Sequence, residues 1–493
     1  MNRSVPALCA LVAAATALSP AAPARAAAPP TSIEFGACPD SVPAPPAPSR
    51  AECGTLSVPL DPSRPGGPRL EVAVSRVRAS GTPAERRGIL LVNPGGPGGS
   101  GLSYAVTKRA KLPERVRRAY DVIGFDPRGV GRSAPAGCGP MGDLFAAPAA
   151  DPVPRGRAAE RDHLTALRRL AADCATAVGA ALPHLSTANT ARDMDAIRAA
   201  LGEERTGFLG VSYGSYLGAA YAARFPHRTG AMVLDSAVGP QDWYDFDLLQ
   251  ARAMLRQRET LLGWLAAHDG RFALGGSARE VRGAYERVRS GLAAHPVDGF
   301  GPAEFDRAVY RALGRTERWA PLGDALRAYL RDGTVAGLRP KAPFDGPESR
   351  NYEAANRVVK CADGPGPAPG RVTADLRRLR REDPLPVLTG IEASACAYWH
   401  HRPARRTALG GPDVPPVLLV ASEHDPVTPL AGARSLGRAL PGSRLVTLED
   451  DYSHGVFASR GNGCVDDTVA AYLVDGAVPG GDVRCAGPGL PGV

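Results

Sequence analysis

Ser212 stands in the stretch Gly210-Val211-Ser212-Tyr213-Gly214, with a glycine two residues to either side. A serine hydroxyl becomes a useful nucleophile only when a base takes its proton and an acid orients that base. Two later residues have the types for those roles. Asp425 lies in "EHDPVTP", directly after the apolar run Val417–Ser422. His454 lies in "DDYSHGVF", after the apolar run in "SRLVTLE". The chain order is serine, acid, histidine. Asp235, at the end of "GAMVLDSAV", is the rival acid. Among the other histidines, His163, His184, His227, His268 and His295 precede Asp425, His424 adjoins it, and His400-His401 fall in the loop after Cys396. The chemistry expected is acyl transfer through a serine ester.

Such a constellation needs elements that hold it. A nucleophile elbow requires a strand, a sharp turn and a helix, with small residues flanking the serine so that the backbones do not collide. "TGFLGV" reads as the buried strand, and "SYLGAAYAARFP" as a helix stopped by Pro226. Further buried strands are read at Ile89–Val92, Val122–Phe125, "GAMVLDSAV", "VLLVAS" and "SRLVTLE", with helical periodicity over residues 155–200. Strands alternating with helices predict a mostly parallel α/β sheet with helices on both faces. Its site is expected at the carboxyl ends of the strands, where Ser212, Asp425 and His454 all fall. "CGTLSVPLD" and "LEVAVSRVRAS" alternate like a half-buried hairpin. Residues 239–382 lose the strand pattern and read as helices, an inserted lid. The expected organisation is therefore a signal peptide over 1–26, a first core part over 35–238, the lid over 239–382 and a second core part over 383–493.

Acyl transfer also needs donors for the developing oxyanion, each lowering the barrier by roughly 3 kcal/mol. "NPGGPGGSG" follows the strand at Ile89–Val92, and glycine lets backbone N–H groups approach a ligand closely. The N–H groups of Gly96 and Tyr213 are the expected pair. The loop matches neither a GxxxxGK[ST] nor a helix-opening GxGxxG, so a phosphate site is the poorer reading.

Composition narrows the class. The chain has 493 residues and a formal net charge of +9, but only four of its 59 basic residues are lysines. The arginines are scattered, with no dense patch interleaved with aromatics, so no nucleic-acid partner is expected. "MNRSVPALCALVAAATALSPAAPARA" has a basic start, an apolar run and an A-x-A site, which predicts a secretory signal peptide and a secreted, extracellular product. No other apolar run is long enough for a bilayer, so no membrane association is expected after its removal. Outside that segment eight cysteines remain: Cys38, Cys53, Cys138, Cys174, Cys361, Cys396, Cys464 and Cys485. An even number in an exported chain points to disulfides. Eight cysteines allow many connectivities, of which the simplest joins sequence neighbours. No metal ligand set and no cofactor motif is read.

"NPGGPGGSG", "DVIGFDPRGVGRS", "GVSYGSYLG", "EHDPVTP", "SHGVF" and the closing "C…AAYLVDGAVP…C" together resemble the secreted tripeptidyl aminopeptidases of actinobacteria. These are grouped with prolyl aminopeptidases in the α/β-hydrolase superfamily and carry a TAP-like C-terminal region. The likeness runs over about residues 35–490. Pro94 stands where prolyl aminopeptidases have histidine. The resemblance implies an α/β-hydrolase fold, a Ser212–Asp425–His454 triad and release of short peptides, typically tripeptides, from free N-termini. It also implies an anionic recess for the substrate ammonium, for which Asp363 and then Glu353 are the expected lid acids, with Thr428 shaping the pocket. A secreted carboxylesterase or lipase would share the same triad. An inactive hydrolase used as a binding module would show a broken triad or elbow.

Overall fold

The computed structural model describes residues 32–139, 151, 156–340, 346–382, 393–401 and 406–493. The expected signal peptide, residues 1–26, lies outside them.

Burial on both faces explains the central strands. β4 (Gly88–Asn93), β5 (Tyr120–Phe125) and β6 (Thr206–Val211) are buried at every position, and so is β8 (Leu418–Ser422). Successive side chains enter opposite cores. Leu91, Ile123, Phe208 and Leu419 meet one cluster; Leu90, Val122, Leu209 and Leu418 meet the other. These join β1 (Gly36–Ala37), β2 (Ala51–Pro59), β3 (Arg69–Val77), β7 (Thr229–Asp235), β9 (Arg444–Glu449) and β10 (Val483–Ala486) in one sheet. Its order is β1-β2-β3-β5-β4-β6-β7-β8-β9-β10. β1, β2 and β3 are antiparallel to their neighbours, and every pair from β5 to β10 is parallel. The fold is that of the α/β hydrolases, as expected. The predicted hairpin is β2–β3, in register from Ala51↔Val77 to Pro59↔Arg69.

One strand escaped the sequence reading, which ended the sheet at β9. β10 has four residues, of which only Cys485 is buried, so it carries no apolar run. It is held by parallel pairing to β9 and by a disulfide from Cys485 to Cys464. The remaining disulfides are Cys38–Cys53, Cys138–Cys174 and Cys361–Cys396, the neighbour pairing throughout.

Between β7 and β8 the described chain is helical and falls into two parts. Helices Trp243–Ala267, Ala278–Ala294, Pro302–Leu313 and Trp319–Asp332 enclose a core of their own, around Phe272, Phe305 and Trp319. Helices Pro347–Ala362 and Pro369–Glu382 instead send Val358 and Leu376 into the core that lies on the sheet. Among the described residues no helix is long and apolar enough to cross a membrane.

Candidate active site

β6 runs straight into Ser212, whose backbone lies at φ 59° and ψ −125°. A non-glycine residue is strained there, and such strain persists only where the surroundings enforce it. The enforcement is visible. The Ser212 N–H donates to Asp235 O at 2.9 Å, and Ser212 O accepts the Ser215 N–H at 2.8 Å as the helix Tyr213–Arg224 begins. A Cβ at Gly210 would stand 2.2 Å from Gly214 O, so only glycine lets the strand and helix pass this closely.

Asp425 and His454, the acid and histidine singled out in the sequence, lie in contact. Asp425 Oδ2 accepts from His454 Nδ1 at 2.8 Å. Its Oδ1 accepts the N–H groups of Val427 at 2.8 Å and Thr428 at 3.0 Å. The carboxylate is thus aimed by its own turn and buried. With Nδ1 as donor to this acid, the lone pair of the imidazole sits on Nε2, the tautomer a general base needs.

Ser212 and His454 open on one cavity of about 1560 Å³, which Gly96 and Tyr213 also line. The glycine loop folds over the elbow. Gly95 has φ +93°, and a Cβ there would lie 2.9 Å from Ser212 Cβ and 3.1 Å from Tyr213 N. The Gly95 N–H is itself held by Asn93 Oδ1 at 2.9 Å. A strained serine, an acid-oriented histidine and a glycine loop against the elbow amide are the parts that acyl transfer requires.

The chain belongs to the tripeptidyl aminopeptidase family of α/β-hydrolases. It is 39% identical to a tripeptidyl aminopeptidase of Streptomyces coelicolor over 460 residues, 90% of this chain and 84% of that one. It is 33% identical to the serine protease Hip1 of Mycobacterium tuberculosis, covering 92% of this chain and 91% of that one. A carboxylesterase B of the same organism is also 33% identical, over 88% of this chain and 86% of that one. A family model for the alpha/beta hydrolase fold matches residues 88–287, and one for TAP-like proteins matches 387–485.

The remaining residues singled out in the sequence take other places. Asp363 is buried and does not line the active-site cavity. It accepts from Thr187 N at 2.8 Å, Thr187 Oγ1 at 2.6 Å and Trp243 Nε1 at 3.2 Å. Burial pushes its carboxyl up to about 6 against those donors. Thr187 Oγ1 shares a further 2.6 Å hydrogen bond with the Tyr213 hydroxyl, so Asp363 braces the residue after the nucleophile. The expected ammonium contact requires a cavity wall, and Asp363 is an internal strut instead. Glu353 does line the cavity, but its Oε2 is paired with Arg357 at 3.0 Å. Thr428 is buried beside the acid: its Oγ1 donates to Asp425 Oδ2 at 2.8 Å and stands 3.2 Å from His454 Nδ1.

The rival acid has a different task. Asp235 is fully buried, and its carboxylate accepts the N–H groups of Val456 at 3.1 Å and Phe457 at 3.0 Å. Ser236 Oγ accepts the Gly455 N–H at 2.9 Å, and Lys108 Nζ donates to Phe457 O. The loop after His454 is therefore clamped by Asp235 at the end of β7, by Ser236 just after it and by Lys108 of the helix Leu102–Arg109. Burial raises the Asp235 carboxyl and lowers Lys108 to about 8, each countered by the charge of the other. The strand-end position of Asp235 was visible in the sequence; its partners were not.

Proposed function

We propose that this protein is a secreted serine exopeptidase that releases short peptides, tripeptides first among them, from free N-termini. The observation that carries the reading is the 2.8 Å contact of His454 Nδ1 with Asp425, in a cavity shared with a strained Ser212. His454 takes the Ser212 proton as the hydroxyl attacks the scissile carbonyl. The N–H groups of Gly96 and Tyr213 receive the oxyanion, and His454 returns the proton to the leaving amine. Water then releases the peptide by the same steps. The family supports the peptidase class. Four disulfides support an oxidising compartment.

A free N-terminus needs a carboxylate. Asp162 and Glu348 line the exposed wall of the cavity and form no ion pair among the described residues, so we assign the substrate ammonium to that rim. The test compares tripeptide anilides with and without an N-terminal acetyl group. Cleavage only of the free amine is expected; equal cleavage of both would sink the aminopeptidase reading. A carboxylesterase is the second reading, favoured by the relative of that name. Short acyl esters hydrolysed well by an enzyme inert to every peptide anilide would select it.

A further inference from the structure

The helix Trp243–Ala267 turns one face of its first two turns toward the active-site cavity. Trp243, Phe246 and Gln250 stand at i, i+3 and i+7, the spacing that puts side chains on one side of a helix. All three line the cavity that holds Ser212 and His454, and so do Val238 and Val427. Phe246 meets the Trp243 ring edge-on, with centroids 5.6 Å apart. Two aromatic and two branched side chains thus make an apolar stretch of the cavity wall.

This stretch is tied to the proposed reacting centre from both sides. The Trp243 ring lies 5.9 Å from that of Tyr213, the residue after Ser212. The Val238 N–H donates to Ser215 Oγ at 2.9 Å, in the first turn of the helix that starts at the elbow. On the other side, the Val427 N–H donates to Asp425 Oδ1 at 2.8 Å. The apolar stretch therefore spans from the elbow to the turn of the acid.

The polar groups beside it are engaged with protein partners. Gln250 Nε2 donates to Val427 O at 2.8 Å, and Gln250 Oε1 accepts from the Tyr310 hydroxyl at 3.0 Å. Trp243 Nε1 donates to Asp363 Oδ2 at 3.2 Å. Lys360 Nζ, 5.7 Å from the Trp243 ring centre, pairs with buried Asp247 at 2.9 Å. A polar side chain placed here would leave water for groups that already have partners, which costs free energy. An apolar one gains in proportion to the area it removes from water, so a large one gains more than a methyl.

In the proposed attack Ser212 Oγ bonds the scissile carbonyl carbon. The side chain of that residue begins two bonds away, about 2.5 Å from the carbonyl carbon. It must therefore fall against whatever wall adjoins the elbow. We propose that Val238, Trp243, Phe246 and Val427 form the subsite for the residue whose carbonyl is attacked, and that this subsite selects a large apolar side chain. The proposal rests on the peptidase reading of the same site.

Two series of free-amine peptides test it. In the first, tripeptide anilides Ala-Ala-X carry Leu, Ala or Asn at X, the residue whose carbonyl is attacked. In the second, Ala-Ala-Ala is followed by the same three residues as amides, which places X on the leaving side. In the first series Leu should exceed Ala about tenfold in kcat/KM. Asn, close to Leu in size, should do no better than Ala. Phe246→Ala opens the wall and Val427→Phe fills the space before it, and each should bring the Leu-to-Ala ratio toward one. Folded variants that both keep the wild-type ratio overturn the assignment of this wall. The wild-type series decides without any variant having to fold. If Leu is not the best of the three at X in the anilides, or if the apolar preference appears only on the leaving side, the proposal is overturned while cleavage itself leaves the peptidase reading standing. If no free-amine peptide is cleaved, both fall.

Discussion

The two parts of the helical insertion between β7 and β8 differ in how they are held and in what they hold. The first, from Trp243 to Asp332, joins the sheet's core at its start through Trp243 and Phe246, has a core of its own from Met254 onward, and reaches the loops of Asp425 and His454 by polar contacts and by Val427 packed on that core. Gln250 Nε2 donates to Val427 O at 2.8 Å, beside Asp425. Gln257 Nε2 donates to Tyr452 O at 2.7 Å, and Thr316 N to Ser453 Oγ at 3.1 Å, both beside His454. The second part, Pro347–Glu382, shares the core of the sheet and reaches the other side of the reaction. Asn356 holds Pro97, Tyr352 covers Gly96, and Asp363 braces Tyr213 through Thr187. One part supports the proposed acid and base, the other the proposed oxyanion donors. The insertion is a divided scaffold as well as a roof.

The largest effect should come where both supports converge. Ser212→Ala is expected to lower kcat on the order of 10⁶-fold and to abolish labelling by a fluorophosphonate probe, with folding intact. Labelling of the variant would place the nucleophile elsewhere and remove the meeting point of the two parts.

Only the second part carries a disulfide, Cys361–Cys396, across 35 residues. Replacing both cysteines by alanine should cost about 4 kcal/mol in denaturant unfolding by loop-closure entropy. A cost near zero would mean that packing on the sheet suffices to hold this part.

Asp363 gives a smaller effect with a sign that can be checked. Burial pushes its carboxyl from 3.8 up to about 6. The folded protein then keeps a proton that the unfolded chain releases, so this group's contribution is most favourable below 3.8 and is lost as pH rises through 6. The loss is on the order of 3 kcal/mol. Asp363→Asn has no such proton, so the stability advantage of wild type over the variant should shrink between about pH 4 and about pH 7. An advantage that is constant with pH would break the assignment of Asp363 as a desolvated strut.

What the sequence revealed follows the same division. The elbow, the glycine loop and the strand ends depend on residues close together in the chain. Gly210 and Gly214 flank Ser212, and Asp425 is aimed by Val427 and Thr428. Chain-local geometry is written in chain-local pattern. The insertion's acids were harder because a carboxylate's role is set by its partners. The donor that occupies Asp363 lies 176 residues upstream at Thr187. Glu353 answers to Arg307 and Arg311 on another helix as well as to Arg357 on its own. β10 was hidden for a different reason: its exposed edge position leaves one buried side chain to make a pattern.

The smallest effect is the sharpest test of the division. Gln257→Ala removes a hydrogen bond beside His454, and Asn356→Ala removes one beside the oxyanion loop; each should lower kcat about tenfold. Their substrate dependence should differ. An anilide leaves as an amine and needs a proton from His454, whereas a nitrophenyl ester leaves as a stable anion without one. Both reactions pass through the same oxyanion. Gln257→Ala should therefore impair the anilide more than the ester, and Asn356→Ala should impair both alike. Thermal unfolding of both variants separates this from a general loosening, which would shift Tm and lower both rates together. If the two variants show the same anilide-to-ester ratio as wild type, the two parts of the insertion do not support separate halves of the reaction.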